Sequence, residues 1–337
     1  MNTTFSTFSQ YVLDYIVSEK LYSYFEVSIN LWTMLFLSCF GVATNVLNAV
    51  VFIKQGFNEG VNISLMAITC WDLVRCLTSL VHRMYGPLYP ASSLFSYYWQ
   101  TYTFYLDYTP IFAGYVNYAL TAYVSVERCL CVSRPFTVRS ILTRKFTFII
   151  VVVISVVTFG AFFVVYFIYD IYFLYVPEFQ MTLPFFYYSG FYYRTQKIIM
   201  PYYNTIGIVL PFLSFLVLCA CSSITIYYLK KSSAFTSKAS SASGISLREQ
   251  KVSKMLLTII AVKIGNLFPR IVCYVAQLSE PEFYALKHYH FLFMTVSRFM
   301  YVLDFINADV TFFIYLNMST NFKSTFNHLF VRIKPRK

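Results

Sequence analysis

Charge is scarce in this chain: Asp, Glu, Lys and Arg make up 12% of its 337 residues, about half the roughly 25% of a soluble domain. With 58% hydrophobic residues and a mean hydropathy of +0.60 it points to a membrane. Histidine is sparse as well. Its four copies, His82, His288, His290 and His328, are scattered, and His288-Tyr289-His290 falls short of a full set of metal ligands. All eight cysteines lie in apolar stretches or at their ends, so the disulfide framework of a small secreted domain is not expected. Cys129-Leu130-Cys131 lacks the further thiols or imidazoles of a four-ligand site and reads as helix packing. No phosphate-cradling glycine loop is present, which weakens the case for an ATP-driven transporter. No catalytic constellation stands out, so neither enzyme activity nor a cofactor is expected. The first 28 residues lack a basic segment ahead of an apolar one, and no cleavable leader is expected.

What is present is seven long stretches of low charge, roughly 29–53, 61–85, 103–132, 146–169, 201–229, 252–278 and 288–316. Crossing the hydrocarbon core takes about 20 apolar residues in a helix. Backbone polar groups in lipid must pair within their own segment, so each stretch is expected to be helical. The fold class is therefore an all-α membrane protein, a seven-transmembrane helix bundle over 29–316. An extracellular segment (1–28) precedes it, and an amphipathic helix with a cytoplasmic tail (317–337) follows.

The net charge of +12 reports topology rather than nucleic-acid binding. Basic residues gather after the third stretch (Arg134, Arg144, Lys145), around 230–254 and in the tail, whereas Glu19, Glu26, Asp170, Glu178, Glu280 and Glu282 occupy the opposite connections. The positive-inside rule then puts the N-terminus outside a plasma membrane and the basic face against anionic lipid. Asn2-Thr3-Thr4 is a glycosylation sequon on that outer side. The Ser/Ala/Gly-rich stretch within 230–250 is a phosphorylation candidate. Phe322, Phe326, Leu329 and Phe330 share one face of the expected surface helix. The aromatic loop YDIYFLYVPEFQMTLPFFYYSGFYYRTQK reads either as a hairpin or lid over the bundle mouth or as an interfacial aromatic belt.

Several spaced residues carry a family likeness. Asn45 sits in the first stretch (GVATNVLNAVVF), Asp72 in the second (NISLMAITCWDL), and ERCLCVSRP with Glu127-Arg128 ends the third. Pro211 interrupts the fifth and Pro269 the sixth, while Tyr315 and then Phe322 close the seventh. In this order the chain resembles the rhodopsin-like G-protein-coupled receptors over roughly 30–330. In flavour it is most similar to invertebrate FMRFamide-receptor-like and molluscan chemosensory receptors, through the segment NADVTFFIY.

The resemblance implies a heterotrimeric G protein as partner and an extracellular peptide or small-molecule ligand, a neuropeptide or a chemosensory cue. It implies that Arg128 pairs with Glu127 and Glu249 at rest, with Tyr315 as a further part of the switch and Pro211 and Pro269 as helix kinks. Its buried polar core maps onto Asn45, Asp72, Asn117, Lys263 and Asn307. The departures are specific. Thr103 stands where the family has the cysteine that staples the outer loop. Leu267 and Lys263 replace the sixth-span aromatics, Thr311-Phe312 replaces Asn-Pro, and Pro110 replaces the amine-binding aspartate, which disfavours a monoamine ligand. The family's sodium ion at the Asp72 position is expected to matter little, because Lys263 or Arg75 supplies a positive charge instead.

Ionisable groups in a span cost about 2.5–3.5 kcal/mol each on insertion scales and normally face inward in pairs. Asp72 and Arg75, three residues apart, are placed to pair. Arg83, Arg270 and Arg298, with Asp107, lie toward the outer ends of four stretches. They are either salt-bridged internally or line a pocket for an anionic or carbonyl-rich ligand. The rival functions are a seven-span ligand-gated channel, a transporter, or a decoy receptor that does not signal. A transporter should show repeat symmetry between its halves, and none is seen in the sequence.

Overall fold

The computed structural model describes residues 17–134, 142–236, 247–285 and 287–331, with backbone alone for 232–236 and 247–249. Among the described residues six helices are long and apolar enough to cross a membrane: Glu19–Gln55, Gly60–Leu88, Arg144–Phe167, Gly190–Lys231, Gln250–Ser279 and His290–Met318. Between the second and third of these runs another helix, Thr109–Ser133, 25 residues long. Counted along the chain it is the third of seven. It is less apolar than the others because most of it is buried among them, against the second, fourth, fifth and sixth helices. Asn117, Tyr118 and Thr121 are tolerated there because other helices, not lipid, surround them.

Hydropathy underestimates two of the helices. The first begins at Glu19 rather than near 29, since the half-buried Tyr22 and Phe25 pack their rings against Phe291 and Phe299 of the seventh. Ser18 caps its start by accepting a bond from the Leu21 N–H. The helical path winds more widely over Glu26–Thr33 before tightening over Met34–Gln55. The fifth helix runs 47 residues, Gly190–Thr236, straight through Pro201 and Pro211. At 1.5 Å per residue that is about 70 Å, more than twice the roughly 30 Å hydrocarbon core, so its ends project beyond it.

The aromatic loop is a β-hairpin. Strand β1 (Tyr169–Val176) pairs antiparallel with β2 (Met181–Tyr188), from Tyr169 opposite Tyr188 to Val176 opposite Met181. Pro184 is accommodated because a two-stranded sheet has only edge strands. The strand is thus an addition to the otherwise all-α expectation. No cysteine holds it, and none of the eight cysteines forms a disulfide. Tyrosine hydroxyls do so instead. From the short helix Ser93–Tyr102, Tyr97 Oη donates to the Pro184 carbonyl at 2.6 Å and Tyr98 Oη to the Thr182 carbonyl at 3.0 Å. Tyr105 bonds the Tyr169 carbonyl, and the Phe104 and Phe186 rings lie 4.0 Å apart. Burial raises the Tyr97 phenol above its ordinary value. Thr103, at the position where the resemblance expects a cysteine, meets the His82 ring at 3.0 Å.

Each tyrosine bond is worth about 0.5–1.5 kcal/mol. Removing two hydroxyls in Tyr97→Phe/Tyr98→Phe is expected to speed amide exchange over 169–188 about tenfold, the equivalent of about 1.4 kcal/mol. Unchanged protection in a mass-spectrometric exchange experiment would show that ring packing alone holds the hairpin.

Candidate functional site

The centre of the bundle is a buried polar network on Asp304 of the seventh helix. One carboxylate oxygen accepts bonds from the Tyr118 hydroxyl and from Asn266 Nδ2 at 2.7 Å, and the other from Arg270 Nη2 at 2.8 Å. Arg75 Nη1 donates to the Asp304 carbonyl at 3.0 Å and lies 3.7 Å from Asp72, whose carboxylate also accepts from Asn117 Nδ2. Lys263 points its ammonium over the Tyr118 ring, 5.7 Å from the centroid. Asp309 is buried nearby with both carboxylate oxygens unpartnered among the described residues, so the buried charges are formally neutral, three cations and three carboxylates, but only Asp72 and Asp304 are paired. Such pairing lets charge persist in a low-dielectric interior. Gly114 makes room for it, since a Cβ there would lie 2.8 Å from Arg75 Nη2.

Toward the hairpin end a second network links four elements. Arg83 gives Nε and Nη2 to the carbonyl and side-chain oxygen of Asn30, at 2.7 and 2.8 Å, and Nη1 to Ser79 at 2.9 Å. Its Nη2 also lies 3.3 Å from Asp107. Arg298 holds the Glu26 carboxylate with two nitrogens, Nε at 3.3 Å and Nη2 at 3.1 Å. The cavity between Arg83, Asp107 and Tyr301 measures about 10 Å³, room for about one water. Arg83, Asp107 and Arg298 therefore share one neighbourhood, while Arg270 belongs to the central network on Asp304.

The opposite, tail end is open. A crevice of about 640 Å³ lies between Gln55, Asn62, Lys251, Met255, Tyr315 and Phe322. Near the same end of the third helix, Arg128 Nη2 meets Glu127 Oε1 at 2.8 Å. Among the described residues Arg128 Nε, Glu127 Oε2 and Tyr315 Oη lack hydrogen-bond partners. The expected surface helix is present as Thr320–Phe326, capped by Ser319 and continued by a wider turn over Asn327–Val331. Its Phe322 is buried against Phe52, Phe312 and Tyr315.

Of the remaining expected residues, Asn45 is buried and bonds the Gly41 carbonyl at 2.9 Å. Asn307 is buried near the centre with its Nδ2 unpartnered among the described residues. Pro211 and Pro269 both lie inside continuous helices. Asn2 lies outside the described residues, and Glu249 outside those whose side chains are described. Sequence reasoning gave no role to Tyr118, Asn266, Asn30 or Glu26. The one available signal was the four-residue spacing of Asn266 and Arg270, which puts both on one helical face.

A bundle of seven helices with a paired ionic centre, a hairpin at one end and a crevice at the other has the architecture of a multi-pass receptor. The chain belongs to the family described as serpentine type 7TM GPCR chemoreceptor Srw, whose model matches residues 32–332. It is thus a member of a chemosensory G-protein-coupled receptor family. Comparison with individual curated proteins returned no match.

Proposed function

We propose that this chain is a plasma-membrane chemoreceptor, N-terminus outside, that takes a peptide or small-molecule cue at its hairpin end and activates a heterotrimeric G protein at its tail end. The observation that carries this reading is the Glu127–Arg128 pair at the same end of the bundle as an open crevice. An arginine already paired, with a spare donor, can change partner at little cost, and the crevice is large enough to admit a protein segment. The rhodopsin-like and FMRFamide-receptor-like features in the sequence support the same switch, with Glu249 as a second resting partner of Arg128. The ligand acts by differential affinity for two states of the bundle, and a coupling of about 1–3 kcal/mol gives a graded response.

Glu249→Ala and Glu127→Gln are expected to raise ligand-free nucleotide exchange on co-reconstituted G proteins several-fold, at equal surface expression. Basal exchange equal to wild type in both variants would sink the lock.

A further inference from the structure

The ion pairs in the half of the bundle nearer the hairpin differ in how open they are. Arg270 and Asp304 are sealed, with side chains 8% and 6% exposed. In the Arg83–Asp107 pair the carboxylate is 30% exposed, but the guanidinium is sealed, at 4%, and each of its nitrogens is committed to a partner. In the Arg298–Glu26 pair both partners reach solvent, at 16% and 31%. That pair differs in a second respect. Glu26 lies where the first helix changes to its wider winding, on the extension that stands outside the packed middle of the bundle.

The Glu26 carboxylate is fully engaged. Oε1 accepts from Asn30 Nδ2 and Arg298 Nη2, and Oε2 from the Tyr22 hydroxyl at 2.9 Å and Arg298 Nε. The two parallel guanidinium bonds are the geometry by which arginine recognises a carboxylate in the plane of its fork. The Tyr301 ring lies 6.0 Å from the guanidinium carbon and helps fix the fork's orientation. The arrangement is that of a bound carboxylate ligand, supplied by the chain itself.

We propose that Arg298 is a carboxylate-recognition site whose resting occupant is Glu26, and that a ligand carboxylate takes the place of Glu26 there. This rests on the receptor reading above and narrows its ligand to a molecule bearing a carboxylate. The exchange is inexpensive because one carboxylate replaces another on the same guanidinium, so no buried charge is left alone. Glu26 is already partly exposed and turns into solvent rather than into the core. Its departure frees Asn30, which holds Arg83 and through it Asp107. Occupancy of one fork is thereby transmitted from the first and seventh helices to the second and to the approach of the third.

Chemical rescue tests this without a known ligand or any signalling readout. Full-length Glu26→Ala in nanodiscs is expected to melt several degrees below wild type. Sodium acetate should restore most of that loss in a saturable way, against sodium chloride at equal ionic strength. Wild type should not respond, and neither should Glu26→Ala/Arg298→Gln. Should Glu26→Ala fail to fold, Glu26→Gln takes its place in the same titration. Triglycine and its C-terminal amide separate the two sources of carboxylate. Rescue by the acid and not the amide shows that the fork admits a chain terminus, and rescue by acetate alone limits it to small carboxylic acids. No saturable acetate effect in the single variant, or an equal effect in the double variant, overturns the proposal. A receptor that shows rescue but activates no G protein would overturn the functional reading and leave this site standing.

Discussion

Asp304→Ala is expected to destabilise the bundle by about 3–5 kcal/mol, the usual result of removing one partner from a buried ion pair. The cost arises less from the lost bonds than from what stays behind. Arg270 loses its carboxylate, the Tyr118 hydroxyl and Asn266 amide lose their acceptor, and the Asp72 carboxylate already serves Arg75 and Asn117. A buried guanidinium without a counter-charge is the most expensive of these. Asp304→Leu/Arg270→Leu should therefore recover much of the loss, because it removes both charges and keeps apolar volume. Thermal unfolding of the purified receptor in nanodiscs measures both variants. If the single variant melts within about a degree of wild type, the network does not hold the helices together. If the double variant melts below the single, charge imbalance is not the source of the cost.

Phe322→Ala should have an effect of similar size but confined to the tail end. Truncating a buried phenylalanine typically costs about 3–5 kcal/mol, and this ring is enclosed by Phe52, Phe312 and Tyr315. The helix it anchors has seven residues, Thr320–Phe326, far fewer than the roughly 12–15 at which an isolated helix becomes marginal in water. Its order is borrowed from that one contact and from Phe326 against Phe312. Amide exchange over 320–331 should become fast in Phe322→Ala and stay slow in Phe322→Leu. Because Ser319, Asn321 and Ser324 line the crevice, the same variant should weaken G-protein activation. Protection over 320–326 equal to wild type would show that lipid, not the bundle, holds this helix.

The sequence makes some of this legible and hides the rest for identifiable reasons. Long apolar runs mark helices because lipid imposes the same demand on each, and the Glu127–Arg128 pair is adjacent in the chain and close in space. Asp72 and Arg75 are legible likewise, being neighbours on one helical face. Asp304 is different. Its partners come from the second, third and sixth helices, and whether they face it depends on the rotation of each helix about its own axis, which packing decides. The start of the first helix is hidden because Glu19–Phe25 is stabilised by rings on the seventh helix, not by lipid, and hydropathy measures only lipid. The hairpin is half legible. Its alternation suggests strands, but nothing local shows that Tyr97 and Tyr98, some eighty residues earlier, close it.

That closure is built from hydroxyls and rings on one continuous chain, with no disulfide. Its assembly requires no oxidant, no disulfide isomerase and no choice among pairings. The hairpin is complete as soon as the short helix Ser93–Tyr102 and Tyr105 have met it. It is also graded, since tethers of this strength open and reclose one at a time, where a covalent staple is either intact or broken.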